Sequence, residues 1–264
     1  MNTRQILQQL VEDSLDEAEL IWDEVGSEMR KKMASLTENF SASGDAHPSR
    51  IPGYETVFRG KPKVDDFIAV VVDLRGSKNH LNQAISGRIT DVTEEQRLLY
   101  ETSALLPVAA KLIDDNQGLS TEYIGDGVLG LFNVKELGED DDGHLNAIYS
   151  AYDASRDCLD ACKTVINPEL EKRYKLPPLA IGVGMGRSRA IIMAVGYDGF
   201  RQARAVGKCV YHATELSKGS NEVWIDDVVR RSWPKTEGGK LRFRQVRNGR
   251  ISIPGYVILR ESTN

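Results

Sequence analysis

The chain has 264 residues, a formal net charge of −5 and 41% hydrophobic residues, which suits one main domain with an appendage and a core that needs no staples. The acidic balance excludes a general binder of nucleic acid or anionic membrane by charge. Its 3 cysteines, Cys158, Cys162 and Cys209, form no disulfide framework; with neither a signal peptide nor a run of about 18 apolar residues, the expectation is a cytoplasmic protein without a membrane span.

Between Thr3 and Met33 the apolar residues Leu7, Val11, Leu15, Ala18, Trp22, Val25, Met29 and Met33 recur every three or four positions. This predicts an amphipathic helix, packed either on its own domain or across a dimer. Ser41–Gly53 is rich in Ser, Gly and Pro and predicts a linker with a solvated His47. Residues 1–60 thus read as helix and linker, and 61–264 as the main domain. Tyr54 follows the linker, either packing or stacking on a base.

The run from Asp66 to Val72 is apolar and rich in β-branched residues, and predicts a strand buried on both faces. It exits at Asp73-Leu74-Arg75-Gly76. Main-chain N–H groups of the turn that follows, with Arg75, Gly76, Ser77 and Lys78, are a candidate phosphate cradle. After a polar stretch, Glu94–Asp115 predicts a helix with Leu98, Leu99, Leu105, Leu106, Ala109 and Leu112 inward and a kink at Pro107. Ser120–Phe132 predicts a hairpin, because two β-forming runs flank Gly125-Asp126-Gly127. Taken alone, Asp126 is simply a residue that turns tolerate. The acidic run Glu139–Asp142 lacks EF-hand spacing and reads as a loop. A helix over His144–Val165 packs Cys158 and Cys162 rather than holding zinc. Leu179–Gly186 predicts a strand, and Asn248-Gly249 the turn of a terminal hairpin between Arg242–Val246 and Ile251–Ile253.

Two carboxylates, Asp73 and Asp126, therefore stand at the ends of neighbouring strands. They repel unless a cation lies between them, and hard divalent cations take such oxygen ligands together with substrate phosphates.

The strand ending in Asp73-Leu74-Arg75-Gly76 and the hairpin Ile124-Gly125-Asp126-Gly127-Val128 resemble a class III nucleotidyl cyclase. So do the strand Ala180-Ile181-Gly182-Val183-Gly184-Met185-Gly186 and the segment Ala203-Arg204-Ala205-Val206-Gly207-Lys208-Cys209-Val210-Tyr211. The likeness runs in order from about Asp66 to Leu259. It implies an α+β, ferredoxin-like cyclase domain behind an N-terminal helix, working as a head-to-tail homodimer with composite sites. It also implies two divalent ions, Mn²⁺ or Mg²⁺, held by Asp73, Asp126 and the carbonyl of Leu74, and cyclisation of a nucleoside triphosphate. Arg247 and Arg250 lie where the family usually brings a Lys to the triphosphate.

At the base-reading positions adenylyl cyclases carry Lys and Asp, whereas this chain has Glu122 and Arg204. An acceptor facing a ring N–H and a donor facing a carbonyl suit uracil or guanine and fit adenine and cytosine poorly. The plainer reading is two exposed charges on strands. The family's ribose-orienting Asn is Tyr211 here, and its transition-state Arg is Glu215. A bulky Tyr211 narrows the pocket toward a pyrimidine. These substitutions resemble the pyrimidine cyclases of bacterial Pycsar antiphage systems, which implies cyclic UMP as messenger and a separate effector protein. A cytidylate or guanylate cyclase and a catalytically silent nucleotide-binding regulator remain alternatives. A palm-type polymerase shares the two-carboxylate logic, but this acidic chain shows no basic template channel.

Overall fold

The computed structural model describes residues 45–77, 92–234, 241–246, 249 and 251–260, with six positions between Glu19 and Gly26. Those six are helical; the rest of the expected N-terminal helix lies outside the described residues.

The elements run β1 (Ala46–Ile51), β2 (Tyr54–Phe58), β3 (Lys63–Leu74), α1 (Glu94–Asp115), β4 (Leu119–Ile124) and β5 (Gly127–Asn133). Then come α2 (Val134–Leu137), α3 (Asn146–Ala161), a π-helical turn (Cys162–Ile166), α4 (Asn167–Tyr174), β6 (Ile181–Tyr197) and β7 (Phe200–Gly207). The chain continues with α5 (Lys208–Leu216), β8 (Glu222–Asp226), α6 (Asp227–Ser232), β9 (Leu241–Gln245) and β10 (Gly255–Arg260). Among the described residues these strands form a β1–β2 hairpin and an eight-stranded sheet ordered β4-β5-β3-β6-β8-β10-β9, with β7 also paired to β6. Among the described residues only the β6–β8 pairing is parallel.

Both faces of β3 are covered, which explains its unbroken apolar run. Ile68, Val70, Val72 and Leu74 enter the larger core with Leu105, Ala109 and Ile113 of α1 and Ile148 and Ala151 of α3. Phe67, Ala69 and Val71 point the other way, toward Cys209 and Ala213 of α5 and Ile51 and Val57 of the β1–β2 hairpin. By alternation Asp73 belongs to this second face.

α1 has the predicted bounds, opened by a capping box between Thr93 and Gln96, and it continues through Pro107 without a break. Leu99, expected inward, is 59% exposed, and Arg97 and Glu101 are buried as an ion pair in that turn. From Asp45 on, the stretch read as a linker belongs to a hairpin, residues 41–44 lying outside the described residues: Pro52 and Gly53 supply its turn, with Gly53 at φ +81°, while the flanking residues alternate. His47 is correspondingly not solvated, since its Nε2 is buried. The terminal hairpin also shifts. Its second strand is Gly255–Arg260, with Tyr256 opposite Gln245, rather than Ile251–Ile253; Pro254 cannot donate to a ladder and stands just before the strand. β6 is far longer than expected, because its first part pairs with β8 and its second with β7.

Candidate active site

The register places Asp73 opposite Gly127 on one side and Gly182 on the other. No side chain flanks it on either strand. A Cβ at Gly127 would come 2.8 Å from the Val72 carbonyl oxygen and 3.2 Å from Asp73 Oδ1. Gly127 therefore leaves room beside the carboxylate, while the Gly182 side is filled by the Ser217 and Gly219 carbonyls. Asp126 precedes Gly127 in the β4–β5 turn, so the ladder itself brings the two acids together.

Their electrostatics match that placement. Burial, then the charge of Asp126, pushes the Asp73 carboxyl up from 3.8 to about 6, against the opposing pull of Arg75. Arg75 Nη1 donates to Asp73 Oδ2 at 2.6 Å and to the Ser217 carbonyl at 3.3 Å. Asp126 Oδ2 is buried with no hydrogen-bond partner among the described residues. A buried carboxylate oxygen left unmet is costly, and a hard cation would satisfy it. No group of three or more His, Cys, Asp or Glu converges among the described residues. The donor set is thus a carboxylate pair, which fits a divalent ion completed by substrate oxygens and water.

Glu122 and Arg204, 82 positions apart in the chain, meet as an ion pair. Glu122 lies opposite Leu129, which lies opposite Val71, so it shares the face of Asp73. Two strand spacings and two residues separate them, roughly 12 Å. Arg204 Nη2 also donates to Gln202 Oε1 at 2.9 Å.

α5 lies against β6 along Gly182, Gly184 and Gly186. A Cβ at these positions would fall 1.9 Å from the Ser217 carbonyl oxygen, 2.0 Å from that of Ala213 and 2.6 Å from that of Cys209. The alternating glycines let the helix backbone rest on the strand backbone. Tyr211 is 55% exposed on α5. Its hydroxyl lies 3.3 Å from Ser252 Oγ, which also reaches Glu215 Oε2 at 3.4 Å. Lys218 donates to Glu215 at 2.8 Å and holds its carboxyl below the usual range. Ser252 was not singled out in the sequence, where it is one polar residue between Ile251 and Ile253. Another unanticipated link is His212 Nδ1, 2.9 Å from Asp226 Oδ2; Asp226 also caps α6 through Val229 N–H.

The remaining expected residues separate. Leu74 is buried in the larger core, so only its main chain can serve the site. Gly76 turns at φ +80° beside Ser77. Arg75 is engaged by Asp73 rather than open to phosphate. Tyr54 does not join the base positions: its hydroxyl donates to Asp65 Oδ2 at 3.0 Å, and its ring packs on Phe67. Asp65 is held by Asn133, four residues along β5 from Leu129, the partner of Glu122. That places Tyr54 roughly 14 Å along the strand. Tyr54 follows no linker but opens the second strand of a packed hairpin. Lys78, Arg247 and Arg250 lie outside the described residues.

No protein-family model matches the sequence, and no curated protein sequence matches it either. Solved structures do match. The guanylyl cyclase Cya2 is 16% identical with a TM-score of 0.56, over 74% of this chain and 91% of that one. The adenylyl cyclase CyaB from P. aeruginosa is 15% identical with a TM-score of 0.57, over 76% and 97%. A bacterial light-regulated adenylyl cyclase is 15% identical with a TM-score of 0.56, over 75% and 52%. The α+β fold of this chain is that of class III cyclase catalytic domains.

Proposed function

We propose that the protein is a metal-dependent nucleotide cyclase that converts UTP to 3′,5′-cyclic UMP and pyrophosphate. The observation that carries this reading is the Asp73–Asp126 pair. Asp73 stands between Gly127 and Gly182 in the ladder, and one carboxylate oxygen of Asp126 is buried and unmet, on a fold shared with cyclase domains. Asp73, Asp126 and the Leu74 carbonyl would hold two ions, Mn²⁺ or Mg²⁺. When bound, these supply Lewis acidity to the attacking hydroxyl and neutralise phosphate charge. In the net reaction the ribose 3′-oxygen bonds to the α-phosphorus. The bond from that phosphorus to the bridging oxygen breaks, pyrophosphate takes the electron pair, and the hydroxyl proton passes to water. The chain contributes position and charge, which dominate phosphoryl transfer.

The Glu122–Arg204 pairing supports a uracil edge, with the carboxylate accepting from N3–H and the guanidinium donating to O4. Guanine offers the same pattern, and the exposed ring of Tyr211 favours the smaller base. CTP and GTP are the competing substrates. The active form is a head-to-tail homodimer, and the product serves a separate effector in antiphage defence, as the sequence resemblance implies. Among the described residues no helix is long and apolar enough to cross a membrane. A catalytically silent nucleotide-binding regulator is the second reading. It is favoured by Glu215, which stands where the family carries its transition-state Arg and is tied with Tyr211 to Ser252.

The test gives the purified protein ATP, GTP, CTP and UTP separately with Mn²⁺, beside Asp73→Ala, and reads products by mass spectrometry. Cyclic UMP that disappears in a folded Asp73→Ala variant is the expected result. Cyclic CMP or cyclic GMP keeps the chemistry and refutes the base assignment. No product from a folded dimer favours the regulator.

A further inference from the structure

We propose that Arg75 is a built-in counter-cation of the carboxylate pair, which a divalent ion must displace before it can hold both Asp73 and Asp126. The inference rests on the metal-dependent reading above and concerns how that site is kept when empty. Arg75 leaves β3 two residues after Asp73, so its reach is fixed by local chain geometry and needs no other subunit. One nitrogen, Nη1, serves two acceptors: Asp73 Oδ2 at 2.6 Å and the Ser217 carbonyl at 3.3 Å. The pair is mostly shielded, with the two side chains 29% and 26% exposed. The compensation is one-sided, because Asp126 Oδ2 remains unmet. A guanidinium does not give up its charge, so it cannot share Asp73 Oδ2 with a second cation without repulsion. Metal entry is therefore an exchange of cations.

The exchange has a second consequence. Ser217 is the C-cap of α5, the helix that carries Tyr211 and Glu215. The arginine that steadies Asp73 also holds that helix end, and its displacement frees the carbonyl. Displaced, Arg75 becomes a cation beside the entering polyphosphate, the role expected from sequence.

The experiment measures Mn²⁺ binding without nucleotide, by electron paramagnetic resonance of free Mn²⁺. It compares wild type, Arg75→Met, Arg75→Lys and Asp73→Asn, each checked for folding by circular dichroism. Arg75→Met, which keeps an unbranched apolar stem but has no donor, should bind about tenfold tighter, the value of one charge-assisted hydrogen bond. Arg75→Lys should stay near wild type, and Asp73→Asn should lose binding. Hydrogen exchange supplies a second readout. On adding Mn²⁺ the peptide around Ser217 should lose part of its protection in wild type, and in Arg75→Met it should start less protected than in wild type. Equal or weaker Mn²⁺ affinity in folded Arg75→Met, with Asp73→Asn still abolishing binding, overturns the counter-cation and leaves the metal site standing. No saturable Mn²⁺ binding in any form overturns both.

Discussion

Replacing Asp126 with Asn should make the metal-free protein more stable while ending turnover. Asp73 titrates at about 6 in the fold instead of 3.8. The native state thus binds the extra proton, and stability falls as pH rises from about 4 to about 6, above which the full penalty stands. The whole shift corresponds to at most about 3 kcal/mol. Water around a side chain that is 26% exposed reduces this to about 1–2 kcal/mol. Burial is the largest cause and survives the substitution; the charge of Asp126 comes second. Its share is about 0.5–1 kcal/mol, or about 1–4 °C in Tm for a domain of this size. Thermal unfolding in chelator should show that gain at about pH 7.5 and lose it at about pH 4.5, where Asp73 is already protonated. Added Mn²⁺ should then raise the Tm of wild type and leave the Asp126→Asn variant unmoved. A gain independent of pH, or a lower Tm at about pH 7.5, refutes the argument that the two carboxylates repel across the empty site.

Other outcomes follow from the same geometry. Arg204→Met should relax discrimination among the four nucleotides ten- to a hundredfold, on the order expected for an unpaired polar group, with Mn²⁺ binding unchanged; steady-state kcat/KM ratios read this. Asp66→Ala strands the buried Arg187, whose guanidinium lies 2.7 Å from the carboxylate. It should cost about 3–5 kcal/mol, measured by the urea midpoint. Gly184→Ala would force a methyl to within 2.0 Å of the Ala213 carbonyl oxygen. It should lift α5 from the sheet, lowering stability by about 1–3 kcal/mol and reducing turnover in the fraction that remains folded.

Sequence patterning was most informative where one physical term dominates. The core strand around Ile68–Val72 is written in burial on both faces. α1 is written in a periodic stripe, although its outward Leu99 shows that a leucine count overstates the inner face. Asp73 and Asp126 could be paired because each ends a strongly specified element. What escaped depended on partners distant in the chain. The Pro and Gly near residue 50 look the same in a linker and in a hairpin turn, and only the buried Ile51 and Val57 decide between them. The extension of β6 depends on β7 and β8 lying along it. The engagement of Arg75 needs the Ser217 carbonyl, 142 positions away, and no local pattern records that.

The contact of α5 with β6 also bears on how such a site can change over generations. Because Gly182, Gly184 and Gly186 meet carbonyl oxygens of α5 and its C-cap, the helix is seated by main chain against main chain. Its outward residues carry no part of that seat. Positions such as Tyr211 and Glu215 can therefore drift in identity while the platform stays still. Substitutions on the helix's outer side leave that seat in place, and it is the loss of a glycine, rather than of a polar side chain, that would unseat the helix.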